Sequence, residues 1–177
     1  MTAAERVTPA ELSVRDEVFR EAATMVLYVS IVEIAELAAL PESHFSAGLV
    51  TGPAGTELLA IIWGTAVGLA LAHWFAFRFA ARAFRGQRHT PLDVYVGLSQ
   101  VGGAIFVAAV SSIPALFMSD EHAQVLTGYI PAVLVAIVSY VIARTSGRSR
   151  TASILYGITA LALGFLVAYV KSRLSAH

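Results

Sequence analysis

Long apolar runs separated by short polar breaks dominate the chain from residue 22 to residue 170. Each run approaches or exceeds the roughly 20 apolar residues that a helix needs to cross a bilayer. The pattern predicts five transmembrane helices, over residues 22–40, 58–81, 92–118, 123–143 and 152–170. The predicted fold class is therefore all-α: a polytopic membrane protein whose residues 22–170 form one bundle of five transmembrane helices.

The residues before the first run are polar. Thr8-Pro9-Ala10-Glu11 combines a capping hydroxyl, a proline for the first helical position and a nearby acid, which is typical of a helix start. We expect a short polar helix at the cytoplasmic membrane surface within residues 1–21. Its continuation into the first span is left open. The acidic residues of this region argue against a basic, cleavable leader. Residues 171–177 are expected to form a short extracytoplasmic tail.

Composition agrees with this picture, because 57% of the residues are hydrophobic, 14% are charged and mean hydropathy is +0.72. Soluble domains have about 45–50% apolar and about 25% charged residues. The formal net charge is zero, so nothing draws the whole chain towards nucleic acid. Cysteine is absent, which excludes disulfides and thiolate metal sites.

Basic residues predict the orientation through the positive-inside rule. Five crossings with a cytoplasmic N-terminus place ten of the twelve Lys and Arg residues inside. In the alternative, the first apolar run lies at the membrane interface and only four helices cross. The twelve Lys and Arg residues are then divided between the two sides as seven and five. The stronger bias favours five crossings, with Glu33 and Glu36 inside the membrane.

Glu33 and Glu36 are the first candidates for chemistry. Carboxyl groups within a bilayer are costly, and intramembrane acids commonly mark ion or proton pathways. Residues three apart lie on one helix face, about 5–6 Å between Cβ atoms. Two such carboxylates cannot both ionise cheaply in low dielectric, so the pair is suited to sharing a proton or binding a cation. The alternative is that both only hydrogen-bond to neighbouring helices.

Two further polar residues lie within predicted spans. His73 in the second span could relay protons, since its depth differs from that of Glu33 by only about 6 Å at 1.5 Å per residue. A core histidine with a purely structural role is the alternative. For Gln100 in the third span, the preferred interpretation is an interhelical hydrogen bond. The alternative is that it lines an ion pathway.

Small residues at four-residue spacing predict close helix packing, since they let backbones approach. One track comprises Gly64, Gly68 and Ala72, which we expect to pack against another helix of the chain. Gly164 belongs to a second track with Ala160 and Ala168. Ala104, Ala108 and Ser112 form a third. A homo-oligomer using such a face is left open.

The stretch Ile61-Ile62-Trp63-Gly64-Thr65, with Ala72-His73-Trp74-Phe75-Ala76-Phe77-Arg78, resembles small uncharacterised integral membrane proteins of actinobacteria. The resemblance implies a bacterial inner-membrane protein of about five helices and carries no activity. Catalytic, phosphate-binding and dinucleotide motifs are absent from the sequence, so neither an enzyme nor a cofactor is expected.

We therefore expect passage or sensing of a small cation, protons above all, at Glu33 and Glu36. The expected partners are the lipid bilayer and these cations. The alternative is a non-conducting accessory or scaffold protein whose polar residues specify helix packing.

Overall fold

Helices account for nearly all of the described chain. The computed structural model describes residues 9–40, 44–46, 49–51, 53–85, 91–118 and 120–175. The predicted features at residues 1–8, 41–43, 86–90 and 176–177 lie outside the described residues. The helices are α1 (Pro9–Leu37), α2 (Gly55–Arg85), α3 (Pro91–Ser111), α4 (Ile113–Phe117), α5 (Asp120–Thr145) and α6 (Arg150–Ser175). A short antiparallel hairpin, β1 (His44–Ser46) and β2 (Leu49–Thr51), joins α1 to α2.

Within the described residues, four helical stretches are long and apolar enough to cross a membrane. They are Gly55–Phe79, Leu92–Phe117, His122–Thr145 and Arg150–Val170. Their limits lie within three residues of four of the predicted spans, so the prediction of apolar helices of membrane-spanning length at these four places is confirmed. The second stretch includes both α3 and α4, because Ser112 and Pro114 interrupt the helix only locally. Ser112 N still donates to Ala108 O at 3.0 Å, and Leu116 N donates to Ser112 O at 3.1 Å.

The distribution of side chains is that of a protein whose solvent is lipid. Large apolar side chains cover the outside, with exposed fractions of 66% for Phe79, 63% for Leu98 and 81% for Phe117. Polar side chains lie inside: Ser30, Glu33, Gln100, Ser111, Ser112, Thr127, Ser139 and Ser153 are buried. Water would select the reverse arrangement, whereas hydrocarbon makes an unsatisfied polar group on the outside costly.

The most polar long helix, α1, occupies the centre of the bundle. It contacts α2, α3, α5 and α6. It is a single helix from Pro9 to Leu37, so the predicted surface helix and the predicted first span are one element. Its charged residues keep it out of the set of four apolar helices.

Contacts between named residues give the directions of the helices. Glu21 and Glu33 of α1 bond Gln100 and Ser111 of α3, so α1 and α3 run parallel. Trp63 of α2 bonds Ser112, whereas Trp74, eleven residues later, lies against Gly97, so α2 is antiparallel to α3. The alternation is the one that a chain crossing a bilayer repeatedly produces.

The small-residue tracks differ in their positions. The prediction that Gly64, Gly68 and Ala72 pack against another helix of the chain is wrong: all three are exposed, and a Cβ at either glycine would have nothing within 4 Å. The reason is that α2 presents Leu58, Ile62, Ala66 and Ala70 to the core instead. Gly164 is buried, and a Cβ there would lie 3.5 Å from Ile34 Cδ1 of α1.

The third track is buried throughout. Ala104, Ala108 and Ser112 have exposed fractions of 1%, 0% and 3%. At Gly103, next to this track, a Cβ would lie 2.8 Å from the carbonyl oxygen of Ala22 and 3.3 Å from Met25 Cβ. Only glycine allows α1 and α3 to approach this closely.

Candidate functional site

Glu33 lies at the centre of the bundle and is 1% exposed. The hydroxyl of Ser111, on α3, donates a hydrogen bond of 2.8 Å to Glu33 Oε2. The other carboxyl oxygen, Oε1, is buried without a hydrogen-bond partner among the described residues. One half of the carboxyl group is therefore bound and the other half is available to a proton or a cation.

Glu36 faces a different neighbour. It is half-buried, and the hydroxyl of Thr65 on α2 donates a hydrogen bond to Glu36 Oε2. The two acids thus lie one helical turn apart but connect α1 to two different helices. No hydroxyl in the described part of the chain bonds both of them, and Glu33 is the more deeply enclosed of the two.

Ser30 lies one helical turn before Glu33 on α1. Its side chain is fully buried, and its hydroxyl oxygen has no hydrogen-bond partner among the described residues. Residues three apart share a helix face, so the Ser30 hydroxyl and the Glu33 carboxyl are neighbours. Thr127, on α5 one turn before Pro131, is a further fully buried hydroxyl without a partner in the described part of the chain.

Gln100 forms the interhelical hydrogen bond that the sequence indicated. Its Nε2 donates to Glu21 Oε2 over 2.8 Å, while its Oε1 is buried without a partner in the described ranges. Twelve residues separate Glu21 from Glu33, about 18 Å along a helix. The Gln100–Glu21 contact is therefore a second polar position on the α1–α3 interface, far from the first.

An apolar seam separates these two polar positions. Met25 and Val29 of α1 and Val107 of α3 belong to one core cluster and are 0–1% exposed. The close approach at Gly103 lies in the same stretch. The interface is thus polar at Glu33, apolar and closely packed in the middle, and polar again at Gln100.

His73 is half-buried on α2 and is not part of the Glu33 site. Eight residues separate it from Thr65, the partner of Glu36, which is about 12 Å along the helix. Ala66 and Ala70, which precede it on the same helix face, are buried in the apolar core. The fold therefore places His73 and the glutamates at different depths with apolar residues between them.

The partners of the two acids are not evident from the sequence. Ser111 and Thr65 hold Glu33 and Glu36, and Trp63 Nε1 donates a 3.0 Å hydrogen bond to Ser112 Oγ. In the sequence, Ser112 stands out only as a member of the third small-residue track, and Ser111 does not stand out at all. The available signal was that a buried carboxyl needs hydroxyl donors, and that hydroxyls within apolar spans are few. Within the described residues, no group of three or more His, Asp or Glu is arranged to hold a metal ion.

The class of protein is an α-helical polytopic membrane protein. This follows from the four membrane-length helices in the described residues, with polar side chains inside the bundle and apolar side chains outside. Comparisons with protein-family models, with curated proteins and with solved structures find no match to this chain. No particular family is therefore assigned, and the resemblance of the α2 motif to actinobacterial proteins remains an interpretation of that motif.

Proposed function

We propose that α1 is a fifth transmembrane helix, in a bacterial inner-membrane protein with a cytoplasmic N-terminus. The support is the parallel course of α1 and α3. The contacts between them run from Glu21–Gln100 to Glu33–Ser111, which is about 18 Å along the axis of α1. Gln100 and Ser111 both lie in Leu92–Phe117, a stretch long and apolar enough to cross a membrane. The basic residues of the sequence supply the orientation.

Single cysteines test this topology, because the natural chain has none. Cysteine at Val14 and at Ser146, both exposed, should react with an impermeant reagent from the same side of the membrane. Cysteine at Ser43 should react from the opposite side. Labelling of positions 14 and 43 from one side would show that α1 does not cross.

We propose that the protein binds a proton or a small cation at Glu33, as part of passage or sensing of that ion. The observation that carries the proposal is the buried Oε1 atom of Glu33, which has no partner in the described residues. Among those residues, no basic side chain forms an ion pair with Glu33. A buried carboxylate without a cationic partner is costly, and a proton or a bound cation removes that cost.

The apolar seam bears on how an ion would move. Met25, Val29 and Val107 close the α1–α3 interface between Glu33 and Gln100. This arrangement favours an ion that is sensed at Glu33, or one released by movement of α1 against α3, over conduction through an open pore. His73 is a relay candidate only if such a movement brings it to the acids.

A second candidate function is a non-conducting accessory or scaffold membrane protein whose polar residues specify helix packing. The observation that favours it is that both acids accept interhelical hydrogen bonds. Ser111 of α3 donates to Glu33, and Thr65 of α2 donates to Glu36. Hydrogen bonds of this kind stabilise and position membrane helices without any ion.

Ion flux into liposomes separates the two candidates. On the ion-binding proposal, the Glu33→Gln and Glu36→Gln double variant should fold and lose the pH-dependent flux of the wild type. Glu57→Gln, an exposed acid in the first turn of α2, is the matched control and should retain flux.

Stability measurements test the case in which the protein senses an ion without transporting it. Wild-type thermal stability in detergent should then change with pH or with the added cation, and Glu33→Gln should abolish that dependence. A wild type with neither flux nor such a dependence would leave the scaffold as the function. Equal flux from wild type and double variant would overturn the role given to the acids.

A further inference from the structure

Gln100 has one half of its amide group engaged and the other half open. Its Nε2 donates to Glu21 Oε2, whereas its Oε1 is buried without a partner in the described residues. The residue is 0% exposed, and an unpaired oxygen of a buried amide is costly. The Glu21 carboxylate at the other end of the amide strengthens this oxygen as an acceptor, because hydrogen bonds in a chain polarise one another. The position is therefore suited to a hydrogen-bond donor, and most of all to a cationic one.

His73 lies at nearly the same depth in the bundle as Gln100. A Cβ at Gly97 of α3 would lie 3.2 Å from Trp74 Cδ1 of α2, so these two residues mark one level of the two antiparallel helices. One residue back along α2 leads to His73, and three residues forward along α3 lead to Gln100. Both steps run in the same direction, so His73 and Gln100 differ in depth by about 3 Å at 1.5 Å per residue.

His73 also shares the face of α2 that is turned towards α3. Ala70, one turn before His73, and Ala104, one turn after Gln100, line one small cavity between the two helices. Both alanines belong to the core cluster that contains Met25 of α1. Residues three or four apart lie on one helix face, so the next turn of each helix brings His73 and Gln100 to the same interface.

The charged groups of α1 beside Gln100 retain a negative charge. Arg20 forms ion pairs with both Glu17 and Glu21. One guanidinium balances only one of the two carboxylates, so the group of three carries a net charge of minus one. This charge lies at Glu21, which bonds Gln100, and it favours a positive charge on the other side of the amide.

The other charged groups around His73 lie further towards that end of the bundle. Arg78, on α2 itself, is five residues beyond His73, about 8 Å along the helix, and it stacks on Trp74. Asp93 of α3 lies beside Arg78 and has an interaction of its own. The remaining helix that contacts α2, α4, contains no titratable residue. Glu21 is thus the acid that Gln100 connects to His73.

We propose that His73, Gln100 and Glu21 form a proton-binding site on the opposite side of the apolar seam from Glu33. The imidazole takes up a proton from solution, a ring N–H turns to donate to Gln100 Oε1, and the negative charge at Glu21 balances the imidazolium. Histidine suits this role because it changes its charge between about pH 5 and pH 8. His73 and Glu21 are both half-buried, so solution reaches the site from this end of the bundle. The site does not depend on ion binding at Glu33.

A double-mutant cycle in the whole chain tests this contact. His73→Phe keeps an aromatic ring and removes both nitrogens, and Gln100→Leu removes the amide. The unfolding equilibrium constants of the wild type, the two single variants and the double variant are measured by SDS denaturation in mixed micelles, at about pH 5.5 and about pH 8. The cycle isolates the coupling between the two residues, because contributions of Glu33 and other independent groups cancel.

The coupling should depend on pH. Protonation of His73 strengthens the contact in the folded state, so the coupling should be about tenfold in the unfolding constant at the lower pH, as for a hydrogen bond to a charged group. At the higher pH the imidazole is neutral, and the coupling should fall to about threefold or less. The wild type should accordingly gain stability relative to His73→Phe as the pH falls.

The matched control is a cycle of His73→Phe with Thr127→Val. The Thr127 hydroxyl is also buried without a partner in the described residues, but it lies on α5, whose main neighbours are α1, α4 and α6. Its coupling to His73 should stay within about twofold at both pH values.

A measurement on the unaltered chain keeps the test valid if a variant does not fold. In 15N-labelled protein in detergent micelles, NMR should show a nuclear Overhauser effect at the lower pH. The effect should connect the ring protons of His73 with the side-chain amide protons of Gln100.

Four outcomes would overturn the proposal. The first is no coupling between His73 and Gln100 at the lower pH. The second is a coupling of equal size at both pH values, which would mean a neutral structural contact. The third is an equally large coupling of His73 to Thr127, and the fourth is the absence of the nuclear Overhauser effect. None of these measurements involves ion flux or Glu33, so this proposal and the one for the Glu33 site can fail separately.

Discussion

Two glycine-containing surfaces of this protein look alike in sequence and differ completely in the fold. Gly103 lies in the α1–α3 interface, where a Cβ would be 2.8 Å from the carbonyl oxygen of Ala22. Gly68 lies on the outward face of α2, where a Cβ would have nothing within 4 Å. Both are small residues in apolar spans. What distinguishes the two surfaces is the polar helix α1, which only the first one contacts.

The central position of α1 has a physical reason. Its side chains include Ser30 and Glu33, which lipid cannot satisfy, whereas the outward residues of α2 and α6 are apolar and lose nothing by facing lipid. Only 22% of the apolar stretches of α2 and α6 is buried, against 50% of the stretch formed by α3 and α4. The polar helix is therefore enclosed, and α2 and α6, whose outward residues are apolar, form the periphery.

Gly103→Leu should produce the largest effect on stability. The new side chain must move α1 away from α3, because the nearest atom is backbone and cannot rotate aside. We expect a loss of about 3 kcal/mol or more in the free energy of unfolding, at the upper end for overpacked cores. Denaturation with SDS in mixed micelles measures it.

Gly102→Leu is the matched control, since the adjacent glycine is exposed and a Cβ there has nothing within 4 Å. It should change stability by less than about 0.5 kcal/mol. Equal losses in both variants would mean that α1 and α3 are not closely packed at Gly103.

The positions of the apolar helices follow from the sequence, whereas the faces that they present to the core do not. The runs of α2, α3, α5 and α6 are long and uninterrupted, so length alone defined them. The face of α2 was misjudged because both of its sides are apolar, and Gly64 and Gly68 fit a lipid-facing surface as well as a helix contact. Glu33 was recognisable because a carboxyl in such a run is costly. Its donor Ser111 was not, because the pairing of α1 with α3 depends on the tertiary fold.

Ser111→Ala should have the second largest effect. It removes the donor to Glu33 Oε2 and leaves both oxygens of a fully enclosed carboxyl group without a partner in the described residues. We expect a loss of about 1–3 kcal/mol in the free energy of unfolding, the cost of an unsatisfied buried polar group. The same SDS denaturation measures it.

Thr65→Val is the comparison for Ser111→Ala, because it removes the donor to the half-buried Glu36 and keeps the side-chain shape. A loss of about 0.6 kcal/mol is expected, the average for interhelical hydrogen bonds in membranes. A larger loss from Thr65→Val than from Ser111→Ala would transfer the central role from Glu33 to Glu36.

Gly68→Leu should have the smallest effect. The position is exposed, a Cβ there has nothing within 4 Å, and leucine favours both the helix and a lipid-facing surface. We expect the free energy of unfolding to stay within about 0.5 kcal/mol of the wild type. The oligomeric state, measured by light scattering in the same detergent, should also be unchanged. A Gly68→Leu variant as unstable as Gly103→Leu would mean that the outward face of α2 packs against protein rather than lipid, and the distinction between the two surfaces would fail.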